Sequence, residues 1–174
     1  PGITLGYNGK GRNFLAKEQY QQAIEQFNYS ASLAPGESYA YANRAQAYRG
    51  LKKYSESSDD IIKALDIDLN RYAFSLAYMT EQPEKEILLA KLRIQQAKQK
   101  NKSVWPFLQA LIYEKGEEYE KAIEAYKTSF GIDAHPSEVE RISACYASLG
   151  NYQRALNYID RAIGMDSTET SDIL

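Results

Sequence analysis

Apolar residues recur every three or four positions along most of this chain, the spacing of a helix with one buried stripe. Short polar segments rich in glycine, proline and charged residues interrupt the stripes. Proline cannot continue a helix, and glycine tolerates the left-handed backbone at a helix exit, so these segments predict turns. The interruptions fall at residues 34–37, 49–53, 114–118, 134–137 and 149–151. The pattern therefore predicts an all-α chain of short helices joined in pairs.

The same order of small and large residues returns with a period of 34 residues. The first two occurrences match Tyr7 with Tyr41, Gly11 with Ala45, Phe14 with Tyr48, Tyr20 with Tyr54, and Phe27 with Ile61. Two later occurrences contain Ala110, Tyr113, Tyr119, Ala122 and Tyr126, and then Ser143, Tyr146, Tyr152, Ala155 and Ile159. Small residues let two helices approach closely, and aromatic residues fill the space to the next pair. Each period therefore predicts one pair of helices.

These residues resemble the tetratricopeptide repeat (TPR) family. Its 34-residue unit carries a small residue, an aromatic, an alanine, an aromatic, an alanine and a closing proline in this order. The resemblance implies a right-handed superhelix, or α-solenoid, of antiparallel helix pairs. It covers a single array over residues 1–174, with units at about 4–37, 38–71, 72–102, 103–135 and 136–169 and a tail at 170–174.

The third unit departs from the family pattern. Its second helix has small and large residues at the expected places, but its first helix lacks the small-then-aromatic pair. The unit is also about three residues short. We favour sequence drift as the reason, and a functional kink is the alternative.

Composition narrows the classes of partner. The chain has 174 residues, a formal net charge of −2, 44% hydrophobic residues and 25% charged residues. This balance is globular, and it provides no field that would attract nucleic acid or an anionic membrane. No apolar run reaches the roughly 18 residues of a membrane span, so we expect neither nucleic-acid binding nor direct membrane insertion. The location is unknown. We favour the cytoplasm, although the chain looks like an excised piece whose targeting segments are missing.

Residues with catalytic potential do not form a constellation in the sequence. His135 precedes a proline in a turn between units, and Cys145 lies among small helical residues. The glycine-rich residues 6–12 lack the spacing of a phosphate loop and fall inside a helix of the repeat. We interpret the acidic stretches 57–60 and 117–124 as solvated helix faces. The sequence thus predicts a protein that is not an enzyme and uses no cofactor or metal.

The family resemblance also implies a binding surface. In TPR arrays the first helix of each unit lines a concave groove, and its inward positions can be counted from the motif. The groove positions counted in this way are Asn8, Arg12, Tyr39, Asn43, Gln46, Arg49, Leu76, Phe107 and Leu111. This set predicts a protein or peptide partner with acidic or amide-rich residues toward the first two units and a hydrophobic anchor near the fourth. The alternative is an ordinary solvated face, with Phe107 and Leu111 covered by a neighbouring helix.

One subfamily is disfavoured. TPR co-chaperones that bind the acidic tails of heat-shock chaperones use a carboxylate clamp of lysine, asparagine, asparagine, lysine and arginine. Only Asn43 matches that clamp here. Asn8 and Arg12 replace its first two residues, and Leu76 and Thr80 replace its last two.

The sequence therefore predicts a non-enzymatic adaptor that binds a peptide or partner segment in the groove. Two alternatives remain open. One is a self-associating scaffold, a homo-oligomer formed through an uncapped C-terminal face, because the chain after Met165 carries no apolar stripe. We favour truncation as the reason for the missing cap. The other alternative is a regulatory TPR domain excised from a larger protein.

Overall fold

A computed structural model describes residues 2–72 and 83–171 of the chain. The described ranges contain helices and no strand, which confirms the predicted all-α class. In chain order the helices are α1 (Gly2–Ala16), α2 (Tyr20–Leu33), α3 (Ser38–Gly50), α4 (Tyr54–Ile67), α5 (Leu69–Tyr72), α6 (Glu84–Lys98), α7 (Val104–Lys115), α8 (Tyr119–Ile132), α9 (Pro136–Ser148) and α10 (Tyr152–Ser171). The first helix of the third predicted unit falls almost entirely outside the described residues.

The helices form two compact units. Unit 1 contains α1 to α5 and the first half of α6, and unit 2 contains the rest of α6 and α7 to α10. Within unit 1, α1 packs on α2, α2 on α3, and α3 on α4; within unit 2, α7 packs on α8, α8 on α9, and α9 on α10. Each unit thus stacks two helix pairs, as the repeat pattern predicts. A single array over the whole chain stays a prediction.

Equivalent contacts show that the helices of a pair are antiparallel. Ser30, near the end of α2, donates from its hydroxyl to the carbonyl of Thr4, near the start of α1 (3.3 Å). Ser129 of α8 makes the same contact with the carbonyl of Ser103, just before α7 (3.1 Å). Both serines are fully buried, and these bonds satisfy their hydroxyls.

The turn inside each pair has one recurring backbone geometry. A residue with positive φ occupies the same place in each turn: Glu18 (57°), Lys52 (58°), Glu117 (59°) and Gly150 (73°). The N–H of the next residue then returns to the carbonyl five positions earlier, as Gln19 does to Phe14 (2.9 Å). This bond satisfies a carbonyl left open at the helix end. The helix breaks predicted at 49–53, 114–118 and 149–151 are therefore turns of one type.

Close approach of paired helices explains the order of small and large residues. A Cβ on Gly11 of α1 would overlap the ring of Phe27 of α2, which is fully buried. In unit 2, Ala110, Ala122 and Tyr126 take the equivalent positions and are all 0% exposed. The small residue makes room for the facing aromatic, and the two helices of the pair bury their apolar residues against each other at that contact.

The acidic segment 57–60 is not a solvated face, and that prediction was wrong. Ser57 and Ser58 are fully buried, and Asp60 is 6% exposed. Arg44 of α3 donates from Nε and Nη2 to both carboxylate oxygens of Asp60 (2.7 and 2.6 Å), so a cation from the facing helix compensates the buried charge. Only Asp59 is exposed, and its salt bridge is with Lys91 (2.5 Å). The second acidic stretch does face solvent and carries surface pairs such as Lys121 with Glu118.

The remaining candidate residues have structural roles. Residues 6–12 lie inside α1, as predicted. His135 caps α9, where its Nδ1 accepts a hydrogen bond from the backbone N–H of Ser137 (3.3 Å). Cys145 is 1% exposed, and burial raises the pKa of its thiol to about 12, the opposite of a reactive cysteine. Among the described residues, no group of histidine, cysteine and acidic side chains has the arrangement of a metal site. In the same part of the chain, no helix is both long and apolar enough to cross a membrane.

Candidate functional site

A cavity of about 710 Å³ opens between the first helices of the two repeats in unit 1. This unit 1 cavity is lined by Leu5, Asn8, Arg12, Leu15, Ala16, Tyr39, Asn43, Gln46 and Arg71. Its volume lies in the range of about 300–1,000 Å³ that is usual for ligand sites. Five of the nine groove positions counted from the sequence therefore line one space.

An amide pair joins the two helices at this cavity. Asn43 of α3 donates from Nδ2 to Oδ1 of Asn8 in α1 (2.9 Å). Asn8 is 9% exposed, so most of its side chain is withdrawn from water. The bond satisfies the Asn8 oxygen and fixes the spacing of α1 and α3 along the cavity.

The cavity carries positive charge, and none of its described lining residues is acidic. Arg12 is exposed, and it has no hydrogen bond or salt bridge with any residue in the described ranges. Arg71 forms a salt bridge from Nε to Asp68 (3.2 Å) and keeps 60% of its side chain exposed. Both arginines line a space with room for a ligand, so the cavity is suited to an acceptor of hydrogen bonds with negative charge.

Arg49 does not line this cavity, although its spacing from Asn43 and Gln46 placed it on the same predicted face. Its Nε is 2.8 Å from Oε2 of Glu84, a residue of α6 that is 4% exposed. The hydroxyl of Ser57 also donates to Glu84 (3.2 Å). The guanidinium of Arg49 therefore compensates a buried carboxylate within unit 1.

The equivalent face of unit 2 differs from that of unit 1. Leu111 is 3% exposed and offers almost no surface, like Leu108 and Ile112 of the same helix, which are both 0% exposed. Phe107 is half-buried, with its ring 5.8 Å from that of Tyr126 and the guanidinium of Arg141 5.9 Å from its centroid. Leu76, the other apolar groove position, lies outside the described residues. A smaller cavity of about 420 Å³ lies in unit 2, and neither Phe107 nor Leu111 is among its described lining residues.

An ion pair occupies much of that face in unit 2. Arg141 of α9 donates from Nη1 to Glu114 of α7 (3.0 Å), and the hydroxyl of Tyr126 donates to the same carboxylate. Burial and the neighbouring Glu114 charge raise the pKa of Tyr126, so it stays a hydrogen-bond donor. The charges here satisfy one another, in contrast to Arg12 in unit 1.

The tetratricopeptide repeat family model matches residues 38–71, 107–136 and 140–169, more than half of the chain. The chain belongs to the tetratricopeptide repeat family. TPR proteins are typically non-enzymatic modules for protein interaction, and family membership supports that general role here.

Solved structures show the same fold at low sequence identity. A crystal structure of a MamA protein is 18% identical, with 99% of this chain and 96% of that chain covered and a TM-score of 0.55. MamA from residue 41 to its end, from Desulfovibrio magneticus RS-1, is 15% identical, with 97% of each chain covered and a TM-score of 0.53. At these identities the likeness extends to the fold alone. Curated protein sequences contain no significant match to this TPR chain.

Sequence reasoning missed four residues that line the unit 1 cavity. Leu5, Leu15 and Ala16 lie on the same face of α1 as Asn8 and Arg12. Their helical spacing is a signal that would have found them. Arg71 gave no such signal, because it comes from the four-residue helix α5 at the end of the second TPR unit and not from a first helix of a unit.

Proposed function

We propose that this TPR chain is a non-enzymatic adaptor that holds a peptide or an extended segment of a partner protein in the unit 1 cavity. One observation carries the proposal. Asn8, Arg12, Tyr39, Asn43 and Gln46 come from two successive repeats, yet they line one cavity together. A segment lying across α1 and α3 would meet polar groups from both helices, and the leucines of α1 would contact its apolar side chains.

A selection experiment tests this proposal. Random peptides displayed on phage are selected on the wild-type chain, and the binders are then measured against Gln46→Trp. Gln46 is an exposed residue of the cavity lining, so an indole there fills the space without disturbing the core. We expect the selected peptides to lose binding by about tenfold or more, equivalent to about 1.4 kcal/mol.

Gln22→Trp is the matched control, since Gln22 is an exposed residue of α2 outside the cavity lining. It makes the same chemical change and should leave peptide binding unaltered. Selected peptides that bind wild type and Gln46→Trp equally would contradict the proposal.

A second candidate function, self-association, has one specific observation in its favour. Four large residues form an exposed row along α10: Tyr152 (69%), Leu156 (54%), Ile159 (43%) and Ile163 (62%). The matching residues Ile123 and Tyr126 of α8 are 3% and 0% exposed, and α8 packs on α9. The α10 row thus has the chemistry of a surface that another helix covers.

The occupant we propose for the α10 row is the same row of a second copy. The alternative contact, with α1 of a second copy, fits poorly because the corresponding row of α1 is Gly6, Lys10, Asn13 and Lys17, which are exposed and mostly polar. Contact with that row would bury lysine charges against leucine and isoleucine. Two α10 rows placed together would instead bury apolar surface on both sides.

Sedimentation equilibrium tests this second candidate. The double variant Leu156→Asp/Ile163→Asp should be monomeric at concentrations where the wild type is a dimer. Gln153→Asp/Asn157→Asp adds the same charge at exposed positions of α10 outside the row and should still dimerise. A wild-type chain that stays monomeric up to millimolar concentration would rule this function out.

A further inference from the structure

We propose that the unit 1 cavity recognises a carboxylate, held between the guanidinium groups of Arg12 and Arg71, on a peptide with an apolar residue beside it. This inference rests on the proposed function, because it names the chemistry of the segment that the cavity binds. The carboxylate belongs either to an aspartate or glutamate side chain or to the C-terminus of the peptide.

The pairing of the arginines is the first argument. Unit 1 contains four arginines, and within its described residues Arg44 and Arg49 are paired with buried carboxylates. Arg12 has no acidic partner in that part of the chain, yet it lines a cavity. A planar guanidinium presents several N–H groups in the geometry that a carboxylate accepts. An arginine left in this state is therefore available to an external acid.

The net charge of the site favours a carboxylate over a doubly charged anion. Arg71 is already bound by Asp68 through a salt bridge of 3.2 Å, so Arg12, Arg71 and Asp68 together carry a formal charge of +1. A carboxylate carries one negative charge and would neutralise this set. A phosphate group would bring about −1.5 to −2 at neutral pH and leave negative charge uncompensated.

Asn8 supplies a second, independent indication of an acceptor in the ligand. Its oxygen accepts the hydrogen bond from Asn43 (2.9 Å), whereas its own amide N–H group has no partner among the described residues. The residue lines the cavity, and its amide nitrogen is not among the buried, unpartnered polar atoms of the described residues, so it is reachable from the cavity. This N–H group is therefore a donor that a ligand oxygen in the cavity can meet.

The apolar part of the lining defines the neighbour of the carboxylate. Leu5, Leu15 and Ala16 belong to the same lining as Arg12, and Leu5 is 58% exposed. An apolar side chain of the ligand would cover this exposed leucine and remove apolar surface from water. The site therefore favours an apolar–acidic pair of residues over an acidic residue alone.

Fluorescence anisotropy with defined peptides tests the inference on the full chain. The first pair of probes is fluorescein-Gly-Gly-Leu-Asp-Gly-Gly-amide and the same peptide with Asn in place of Asp. The second pair is fluorescein-Gly-Gly-Gly-Leu with a free C-terminal carboxylate and its amide. Stronger binding of the Asp peptide identifies a side-chain carboxylate as the ligand, and stronger binding of the free-acid peptide identifies the terminal one.

We expect at least one carboxylate peptide to bind about tenfold more tightly than its neutral counterpart, as one charge-assisted contact provides. Arg12→Gln should remove this difference, because it weakens the binding of the carboxylate peptide more than that of its neutral counterpart. Lys17→Gln is the control, because it removes an exposed positive charge from α1 outside the cavity lining and should preserve the difference. Circular dichroism checks that both variants keep the helical fold.

Equal binding of the carboxylate and neutral peptides, or no binding of any probe by the folded chain, overturns the inference. An equal loss of both peptides in Arg12→Gln also overturns it, because the arginine would then act on the shape of the cavity alone. Phage-selected peptides that lose binding in Gln46→Trp, contain no acidic residue and bind equally as free acid and as C-terminal amide would leave the proposed function standing and refute only the carboxylate. If the selected peptides ignore Gln46→Trp, the proposed function fails as well.

Discussion

Asn43 of α3 donates a hydrogen bond of 2.9 Å to Asn8 of α1, and this contact joins two successive repeats beside the unit 1 cavity. Because Asn8 is 9% exposed, water replaces a lost partner only in part. The contact therefore supports the packing of α1 on α3 at the place where we propose that a ligand binds.

Replacement of Asn43 by alanine should weaken both the fold and the cavity. We expect Asn43→Ala to lower the free energy of unfolding by about 1–2 kcal/mol, because the buried Asn8 oxygen loses its donor. Urea unfolding followed by circular dichroism measures this change. Gln46→Ala is the control, since Gln46 is an exposed residue of the same helix, and its effect should stay within about 0.5 kcal/mol. Equal stability of the two variants would show that the amide pair is energetically neutral.

Replacement of two different glycines of α1 by alanine should change the free energy of unfolding in opposite directions. A Cβ on Gly9 meets no atom within 4 Å, so Gly9→Ala should raise the free energy of unfolding by up to about 1 kcal/mol through helix propensity. A Cβ on Gly11 overlaps the buried ring of Phe27, so Gly11→Ala should lower it by about 1–3 kcal/mol. Thermal unfolding of both variants provides the comparison. If Gly11→Ala also raises the melting temperature, the close approach of α1 and α2 is not as tight as described.

The ion pair between Arg44 and Asp60 should be structural. Arg44→Met leaves a carboxylate that is 6% exposed without its cation, and we expect a loss of about 3 kcal/mol in unfolding free energy. The double variant Arg44→Met/Asp60→Leu should recover most of this loss, because no buried charge then remains. Lys53→Met, at an exposed turn position, should change stability by less than about 0.5 kcal/mol.

The loss in Arg44→Met should also depend on pH. Burial raises the pKa of Asp60, and the hydrogen bonds and charge of Arg44 oppose that rise, so in the single variant burial and the neighbouring Asp59 charge both raise the pKa unopposed by Arg44. In the folded variant the Asp60 carboxyl then keeps its proton at pH values where the same carboxyl of the unfolded chain has already released it. Stability consequently falls as pH increases above the ordinary aspartate pKa. Urea unfolding should therefore show that Arg44→Met lowers the free energy of unfolding less near pH 4 than near pH 7. An equal loss at both pH values would exclude this explanation.

Cys145 should be unreactive in the folded chain. Its thiol is 1% exposed, and burial raises its pKa to about 12, so Ellman's reagent at pH 8 should react only after urea is added. The unfolded thiol ionises near its ordinary pKa of 9.0, whereas the folded thiol stays protonated up to about 12. Stability must therefore fall as pH rises through this window. The stability of Cys145→Ala should fall less steeply with pH in this window. Rapid labelling of the native wild type by Ellman's reagent would contradict the burial of the thiol.

The fold was predictable because its information is local and repeated. Gly11, Phe14 and Tyr20 recur as Ala45, Tyr48 and Tyr54, and the same packing rule acts each time. A period of 34 residues determines which helix faces which, so the pairs follow without knowledge of distant contacts. The turns at Lys52, Glu117 and Gly150 fall at predicted breaks, whereas the turn at Glu18 was not among them. Of the four positive-φ residues in the described ranges, Gly150 alone is a glycine.

The candidate site was predictable only where the repeat register decides the direction of a side chain. Asn8, Arg12 and Asn43 share a face because helical spacing requires it. Arg49 has suitable spacing, but Glu84 lies 35 residues away in sequence, and the pattern of one repeat contains no record of that partner. Leu111 has suitable spacing as well, but it is 3% exposed. Such pairings depend on tertiary contacts that a single sequence does not reveal.

Nuclear magnetic resonance of the side-chain amides tests the central claim, that the unit 1 cavity holds a peptide. A phage-selected peptide is titrated into the ¹⁵N-labelled full chain while the Asn8, Asn43 and Gln22 signals are followed. We predict that Asn8 and Asn43 shift in proportion to occupancy, because they line the cavity, and that Gln22, exposed on α2, stays in place. Saturable binding that leaves Asn8 and Asn43 unshifted and moves only signals of unit 2 would contradict the account.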